Sequence, residues 1–335
     1  MRVSPSGTEV TPAGLAAERR QTPQSDPWWQ DSVVLAWWDL KLGVGGYHRI
    51  GHQPGHPDGP RVELVNNVFS HDKIFKRCQS LPLTESARLE NGFGSDGTVS
   101  YVFDDHPVWT FASPEVDGVL HLRDHHEAVD IYPKGGHLAE RISSGHLEAA
   151  GVVTGTLTLD GRTYEIDGLA IRDRGWGVRH WDEILAHRWV AANFGPEASV
   201  YAVSVLGADG TLSDFGCVIR GDELMYAKKV DIVTYMERDG LTHRGGHVRL
   251  ELVDGEVVEL RAEVLAKGAV SWMVQTTNVN DTLCKATWAE RVGICDFEIS
   301  NNASAGKGRP VMALNGVIHD GLHEVSAIIE GAQHG

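Results

Sequence analysis

The sequence predicts an all-β protein with few short helices, and three observations support this prediction. Apolar and polar residues alternate on both sides of Asp160-Gly161, Ala208-Asp209-Gly210 and Asp254-Gly255. Alternation with a period of two around an Asp-Gly turn is typical of β-hairpins. Helical periodicity is confined to short pieces such as residues 324–333, and the 38 glycines suit a protein rich in turns. Many short strands at regular spacing favour a sandwich or a barrel.

The N-terminal part begins with a polar segment and continues with further strands. Residues 1–27 contain proline and lack an apolar stretch, which predicts a disordered lead and not a secretory signal. The pattern then predicts two strands within residues 31–54. Further strands are predicted within segments 60–70, 97–105, 117–133 and, near the C-terminus, 308–319.

Chain length and one polar connector predict two domains. A chain of 335 residues is long for one ordinary domain and suits two of about 150 residues each. The least structured connector is the polar segment 133–147. We therefore predict an N-terminal β domain over residues 28–140 and a C-terminal β domain over residues 141–335.

Composition narrows the classes of partner and cofactor. The chain has 30 Lys and Arg against 46 Asp and Glu, a net charge of −16, which disfavours nucleic acid and anionic lipid as partners. The sequence contains no run of about 18 apolar residues, so we expect no membrane span. The four cysteines form no CxxC pair, which predicts reduced thiols in a cytoplasmic protein. Without a dinucleotide or P-loop motif, we expect no nucleotide or flavin cofactor.

The densest chemical stretch is residues 171–183, IRDRGWGVRHWDE. Strand alternation places Asp173 on the face opposite Arg172 and Arg174, and we interpret that face as the interior. A buried Asp at a strand end is expected to have a raised pKa and to donate a proton. An ion pair between Asp173 and a neighbouring arginine is the competing interpretation.

Other ionisable residues and several aromatic rings are further candidates. His125 is a candidate acid–base partner, and Asp182 lies close to Asp173 in the sequence. The alternation of residues 291–300 puts Asp296 and Glu298 on one face, which is directed either to water or into a pocket. A metal site is disfavoured because His-x3-His on a strand spans roughly 13 Å. Ten tryptophans serve either as core residues or as the walls of an aromatic pocket.

Three segments, residues 37–54, 145–181 and 286–298, resemble the lipocalin-like group around carotenoid 1,2-hydratase (hydroxyneurosporene synthase), with kievitone-type hydratases as relatives. The hallmark of that group is a strand ending in Asp, a basic residue or His, a variable residue, Trp and Gly. Here the motif is Asp173-Arg174-Gly175-Trp176-Gly177, with Arg174 where the hydratases carry His. The resemblance implies two lipocalin-like, calycin-type antiparallel β-barrels in tandem, with an apolar pocket between or within them.

The sequence and this resemblance together predict a hydro-lyase or isomerase that needs no cofactor and no metal. The expected substrate is a small, apolar, terpenoid-like alcohol or alkene, protonated by a neutral carboxylic acid to give a carbocation against aromatic faces. The predicted catalytic residues are Asp173, Asp182, His125 and Glu298. The predicted substrate-binding residues are Trp176, Tyr201, Trp181, Trp38 and Trp109.

The sequence also allows two alternative functions. The first is a non-catalytic carrier of an apolar metabolite, for which a wholly apolar cavity would be expected. The second is a cyclase or pericyclase, which would fold a flexible substrate and polarise a carbonyl with hydrogen-bond donors. The oligomeric state is open as well, and a homodimer is compatible with the sequence.

Overall fold

The structure, a computed structural model, describes residues 2–3, 9–10, 15–70, 73–130, 143–236, 243–265, 270–274 and 277–302. One short helix, α1 (Leu15–Glu18), and two 3-10 helices at Glu85–Ala87 and Trp181–Glu183 accompany the strands. The strands are β1 Arg2–Val3, β2 Glu9–Val10, β3 Trp29–Asp39, β4 Val44–Gln53, β5 Arg61–Ser70, β6 Ile74–Pro82, β7 Gly92–Gly94, β8 Val99–Phe103, β9 Pro107–Ala112, β10 Val116–Asp124, β11 Val129–Asp130, β12 Gly145–Leu159, β13 Arg162–Val178, β14 Ile184–Asn193, β15 Ser199–Gly207, β16 Leu212–Arg220, β17 Glu223–Met236, β18 His243–Leu252, β19 Val257–Val264, β20 Val270–Val274, β21 Thr277–Trp288 and β22 Arg291–Asn302.

The chain forms two compact units, and the prediction of an all-β, tandem lipocalin-like fold is confirmed. The first unit comprises residues 1–180 with 195–197, and the second comprises residues 181–194 with the chain from residue 198 onwards. None of the helices among the described residues is long and apolar enough to cross a membrane.

The first unit is built on one curled antiparallel sheet with the order β6-β5-β4-β3-β13-β12-β10-β9-β8-β7, and β11 pairs with β12. Its concave face carries a core that includes Trp37, Trp109, Phe111, Leu157 and Ile166. The edge strands β6 and β7 do not pair with each other within the described chain, so this sheet stays open. The concave face is called the inner face below, and the opposite face the outer face.

The second unit is a closed barrel. Strands β14 to β19 follow one another as a meander, β19 also pairs with β21, and β22 pairs with both β21 and β14. This pairing closes eight strands into a ring, while β20 lies beside β21. The barrel core includes Val190, Val218, Leu250, Leu260 and Phe297.

The predicted hairpins are confirmed by the strand register. Leu159 pairs with Arg162 across the first turn, where Asp160 and Gly161 have φ values of 49° and 77°. Positive φ at both central residues is the geometry of a type I′ turn, which matches the twist of the flanking strands. The turns containing Gly210 and Gly255 likewise join β15 to β16 and β18 to β19. The strand predicted at 308–319 and the helical piece at 324–333 lie outside the described residues.

The two units divide near residue 180 and not at the predicted boundary of 140. Strands β12 and β13 pair with β10 and β3, so the whole segment 145–178 belongs to the first sheet. Part of the predicted disordered lead is also ordered. Residues 15–27 lie against the first unit, where Glu18 is buried by its ion pair with Arg172.

Candidate active site

Strand β13 presents different chemistry on its two faces. Tyr164, Ile166 and Ala170 join the core on the inner face, and the alternation carries on into Arg172 and Arg174. Asp173 therefore lies on the outer face, which corrects the expectation that it is directed into the interior. The expectation failed because two arginines, and not apolar residues, occupy the last inward positions of the strand.

The two inward arginines are held by acids and carbonyls from distant parts of the chain. Arg172 donates to Glu18 at 2.7 and 2.9 Å and to Asp124 at 2.5 to 3.0 Å. Arg174 is fully buried, pairs with Asp31 and lies over the rings of Phe93 and Trp176. Buried guanidinium groups need such partners to offset the loss of water. These ion pairs join Arg172 and Arg174 to Glu18, Asp124 and Asp31, and not to the neighbouring Asp173.

On the outer face, a histidine and two carboxylates meet across strands β12 and β13. Nε2 of His146 lies 3.0 Å from Oδ2 of Asp173 and 3.4 Å from Oε1 of Glu148. The strand register pairs Glu148 directly with Asp173, and His146 precedes Glu148 by two residues on the same face. His146 and Glu148 are buried, whereas a quarter of the Asp173 side chain is exposed. Asp173 is therefore the member of this cluster that a substrate can reach.

The cluster holds a protonated imidazole at neutral pH. Burial alone would lower the pKa of His146, but Asp173 and Glu148 outweigh it and raise that pKa to about 9. Burial would likewise raise the pKa of Asp173, but the neighbouring His146, with Arg179 and Arg49, holds it below its usual value. Asp173 is thus ionised at rest, and the expected neutral carboxylic acid is replaced by a neighbouring imidazolium.

Two guanidinium groups border the cluster. They occupy space that is free because the neighbouring residues are glycines. A Cβ on Gly175 would lie 2.6 Å from Nη2 of Arg179 and 3.3 Å from Nδ1 of His146. A Cβ on Gly51 would lie within 2.8 Å of the guanidinium atoms of Arg49. The missing side chains therefore admit both cations beside the carboxylates. The result is an outer-face site with an acid, two bases and two hydrogen-bond-donating cations.

The same three residues also offer a metal-ligand geometry. One ligand atom from each of His146, Glu148 and Asp173 can be chosen so that all lie within 4.8 Å of one another. A metal would have to displace the proton from a histidine whose pKa is about 9, beside two guanidinium groups. Proton chemistry fits this charge pattern better than cation binding.

The other predicted catalytic residues lie in different elements. His125 follows β10, is half-buried, and has a pKa lowered by burial and by His126. Asp182 is exposed in the 3-10 helix of the second unit. Glu298 lies on β22, where it pairs with Nε2 of His187, and Nδ1 of that histidine is 2.6 Å from Oγ of Ser300. Of the four predicted residues, the outer-face cluster contains Asp173.

The predicted aromatic residues are likewise divided between faces and units. Trp176 and Trp109 lie on the inner face of the first sheet, Trp176 among the partners of Arg174 and Trp109 in the core. Trp38 lies on the outer face, opposite the position on β13 that is four residues before Asp173. Tyr201 is fully buried on β15, and Trp181 packs against His187 at 5.7 Å. Trp176 and Asp173 therefore cannot line one pocket, because they occupy opposite faces of β13.

His146 and Glu148 were missed by the sequence reasoning. The segment 145–159 alternates in the manner of a strand, so both residues could have been assigned to one face. The predicted connector at 133–147 hid this signal, because it placed His146 in a loop. Arg49 gave no signal, because its place beside Asp173 depends on the register that pairs Asp173 with Val34 and Val34 with Arg49.

A cavity of about 620 Å³ lies in the second unit. Its lining includes Ala186, Arg188, Ser204, Asp214 and Ile232. Cavities of this size suit small molecules. Ionisable groups in the lining distinguish it from the wholly apolar cavity expected of a simple carrier.

Fold and site together define an all-β protein with tandem lipocalin-like units and an acid–base cluster on one sheet. The chain belongs to the DUF7064 family, a domain of unknown function, which matches residues 14–303. No curated protein matches the chain.

Solved structures share the fold at low sequence identity. An AttH protein from Nitrosomonas europaea aligns with a TM-score of 0.62 at 12% identity, over 84% of this chain and 94% of that one. Kievitone hydratase from Nectria haematococca aligns with a TM-score of 0.58 at 11% identity, over 90% of this chain and 96% of that one. CghA with Sch210972 aligns with a TM-score of 0.59 at 11% identity, over 82% and 89% of the two chains. Likeness at this level concerns the fold.

Proposed function

We propose that this protein is a cofactor-independent hydro-lyase or isomerase that acts on an apolar, terpenoid-like alcohol or alkene. The observation that carries the proposal is the protonated His146 held between Glu148 and the partly exposed Asp173. Hydration, dehydration and double-bond migration all need an acid and a base at one place, and this cluster supplies both.

The reaction in the dehydration direction begins with proton transfer from His146 Nε2 to Asp173. The protonated Asp173 then gives this proton to the substrate hydroxyl oxygen as the C–O bond breaks and water leaves. The Asp173 carboxylate next removes a proton from the adjacent carbon, whose C–H electrons form the new double bond. Return of that proton to His146 restores the resting state.

The strength of the acid favours oxygen over carbon as the first proton acceptor. A group whose pKa is about 9 stays protonated at neutral pH but is too weak to protonate an unactivated alkene. A protonated Asp173 is a stronger acid than His146, because nearby cations favour its ionised form. The cluster therefore suits a hydroxyl group that leaves as the proton arrives.

The proposed substrate class rests on charge and on the comparisons. A chain with a net charge of −16 repels polyanionic substrates at long range. Kievitone hydratase shares the fold and is a hydratase by name. The charge favours a neutral substrate, and the hydratase neighbour supports a substrate with a hydroxyl group or a double bond.

A cyclase or pericyclase is the second candidate. Arg49 and Arg179 place guanidinium donors beside the cluster, which is the feature expected for polarising a substrate carbonyl. CghA, whose structure contains Sch210972, shares the fold. In a pericyclase the reaction would depend on these arginines and would leave no solvent hydrogen in the product.

Incubation with tertiary terpene alcohols and the matching alkenes in D₂O, followed by gas chromatography and mass spectrometry, tests the proposal. We expect water loss or addition, with solvent deuterium in recovered alkenes. Asp173→Asn and His146→Gln should each lower turnover by at least ~100-fold, because general acid–base catalysis contributes that much. Asp167→Asn is the matched control, since Asp167 is an exposed Asp on the same strand and face. Full activity of correctly folded Asp173→Asn, or no turnover of the panel, would contradict the proposal.

A further inference from the structure

Two buried cysteines lie directly opposite each other in the wall of the second unit. The register of strands β21 and β22 pairs Cys284 with Cys295. Directly opposite residues of an antiparallel pair direct their side chains to the same face of the sheet. Both cysteines are fully buried and belong to the barrel core, so that face is the interior of the barrel. Two thiols therefore lie side by side inside the barrel.

The backbone at these two positions suits a disulfide. Opposite residues on antiparallel strands have Cα atoms about 4.5 or 5.5 Å apart and Cβ atoms about 4.5–5.5 Å apart. A disulfide needs Cα atoms about 4.4–6.8 Å apart and Cβ atoms about 3.5–4.5 Å apart. A rotation of the two side chains and a small approach of the strands are therefore sufficient to form the bond, and the register stays as it is.

The other two cysteines of the chain are placed differently. Cys78 is exposed on β6 of the first unit and is not part of the barrel. Cys217 is buried on β16, but its neighbour Val218 belongs to the barrel core, so Cys217 is directed to the outside of the barrel. The barrel wall separates it from the interior thiols. Of the four cysteines, Cys284 and Cys295 are the two that the fold brings together.

The surroundings of the two thiols favour reaction with each other over reaction with an external reagent. Burial raises the pKa of both thiols, and the adjacent Cys284 raises that of Cys295 further. Both thiols are thus protonated at neutral pH and react slowly with alkylating reagents. The register holds each sulfur beside its partner. Once a small oxidant has reached one sulfur, the other completes the bond without a search through space.

We propose that Cys284 and Cys295 are a redox modification site, a dithiol that a peroxide converts reversibly into a disulfide between β21 and β22. With hydrogen peroxide, one sulfur attacks a peroxide oxygen and the O–O bond breaks, which gives a sulfenic acid and water. The second sulfur then displaces the hydroxyl group of the sulfenic acid as a second water. The two thiols lose two electrons and two protons in total, and a dithiol reductant reverses the reaction.

The disulfide would connect two strands that close the barrel. Strand β21 pairs with β19 and strand β22 pairs with β14, so separation of β21 from β22 opens the ring. A covalent bond between them limits the freedom of the unfolded chain and stabilises the folded barrel. The oxidation state of this pair therefore sets the stability of the second unit. It does not depend on the proposed hydro-lyase activity.

Oxidation of the folded, full-length Cys78→Ser protein with hydrogen peroxide, followed by tryptic digestion without reductant, tests the pairing. Lys285 and Arg291 lie between the two cysteines, so trypsin separates them into two peptides that only a disulfide holds together. Mass spectrometry should find residues 268–285 joined to residues 292–307, and dithiothreitol should separate them. The midpoint of thermal unfolding should fall by at least about 4 °C on addition of dithiothreitol, which reduces the disulfide and leaves methionine sulfoxide unchanged.

Two variants distinguish this pair from the other thiols. Cys284→Ala should abolish both the joined peptides and the shift caused by dithiothreitol. Cys217→Ala is the matched control, because it removes a fully buried thiol of the same unit from the other face of the wall, and it should leave both results unchanged. If Cys284→Ala does not fold, the peptides of the Cys78→Ser protein decide. Free thiols at both positions after oxidation, pairing of either with Cys217, or a dithiothreitol shift that persists in folded Cys284→Ala would overturn the proposal.

Discussion

Nε2 of His146 lies 3.0 Å from Oδ2 of Asp173, across two neighbouring strands of the first sheet. This contact joins a buried imidazolium to a carboxylate that is partly exposed. It stores a proton next to the group that a substrate can reach. The proposed chemistry depends on this contact.

The stability of the protein should depend on pH because of His146. Its folded pKa is about 9 against an ordinary value of 6.5, so the cluster stabilises the folded state fully below pH 6.5. That contribution, on the order of 3 kcal/mol from the size of the pKa shift, is lost as pH rises through 9. Urea unfolding at pH 6 and pH 9.5 should show the decrease. A His146→Gln variant with the same decrease would contradict this prediction.

Low pH should also reduce the contribution of this cluster to the stability of the folded protein. The pKa of Asp173 is lowered in the folded state, so its contribution is present above its ordinary value of 3.8 and is lost as pH falls through the folded value. The cluster should therefore be most stabilising between about pH 4 and pH 6.5, the range in which both charges are present and the histidine keeps its proton in either state. Unfolding at pH 5 gives the reference point for the comparison at high pH.

Gly175→Ala should reduce activity more than stability. The added Cβ would lie 2.6 Å from Nη2 of Arg179, and the flexible guanidinium group can move away. Displacing that cation beside Asp173 should lower turnover on the order of 10-fold, because small shifts of positioned groups are costly in catalysis. Gly55→Ala is the control, since its closest contact would be 3.3 Å. Equal activity of the two variants would argue against a role for Arg179.

Arg174→Met should destabilise the protein by about 3–5 kcal/mol, because it leaves the buried carboxylate of Asp31 without its cation. Arg162→Met is the matched control on the same strand, where Arg162 is exposed over the ring of Tyr164. That variant should change stability by less than about 0.5 kcal/mol. Denaturant unfolding measures both. A small effect for Arg174→Met would contradict its assignment as a structural anchor of the inner face.

The sequence allowed the fold class and the turns to be predicted, because both depend on local patterns. Alternation and Asp-Gly turns located the hairpin at Asp160-Gly161, and the register confirms it. The face of Asp173 could not be derived locally. Arg174 is directed inward because Asp31 receives it from 143 residues away, and such a partner leaves no mark in the neighbouring sequence.

Only part of the candidate site could be predicted, because its residues come from two strands and local patterns indicate only one of them. The dense stretch at 171–183 led to Asp173, but His146 lay in a segment interpreted as a domain connector. Strand β12 belongs to the first sheet although it lies beyond the predicted domain boundary at residue 140. The prediction of a boundary there therefore hid the position of His146 on a strand. The motif of the lipocalin-like group, Asp173-Arg174-Gly175-Trp176-Gly177, lies on β13 and does not include the acid–base groups of the partner strand β12.

An NMR pH titration of the His146 imidazole, assigned by comparison with His146→Gln, tests the proton-transfer pair of His146 and Asp173. We expect a pKa of about 9 for this imidazole in the folded wild-type protein. In Asp173→Asn the pKa should fall markedly, since Asp173 supplies the largest favourable contribution. A wild-type pKa at or below 6.5, or a pKa that Asp173→Asn does not change, would contradict the assignment of His146 and Asp173 as the proton-transfer pair.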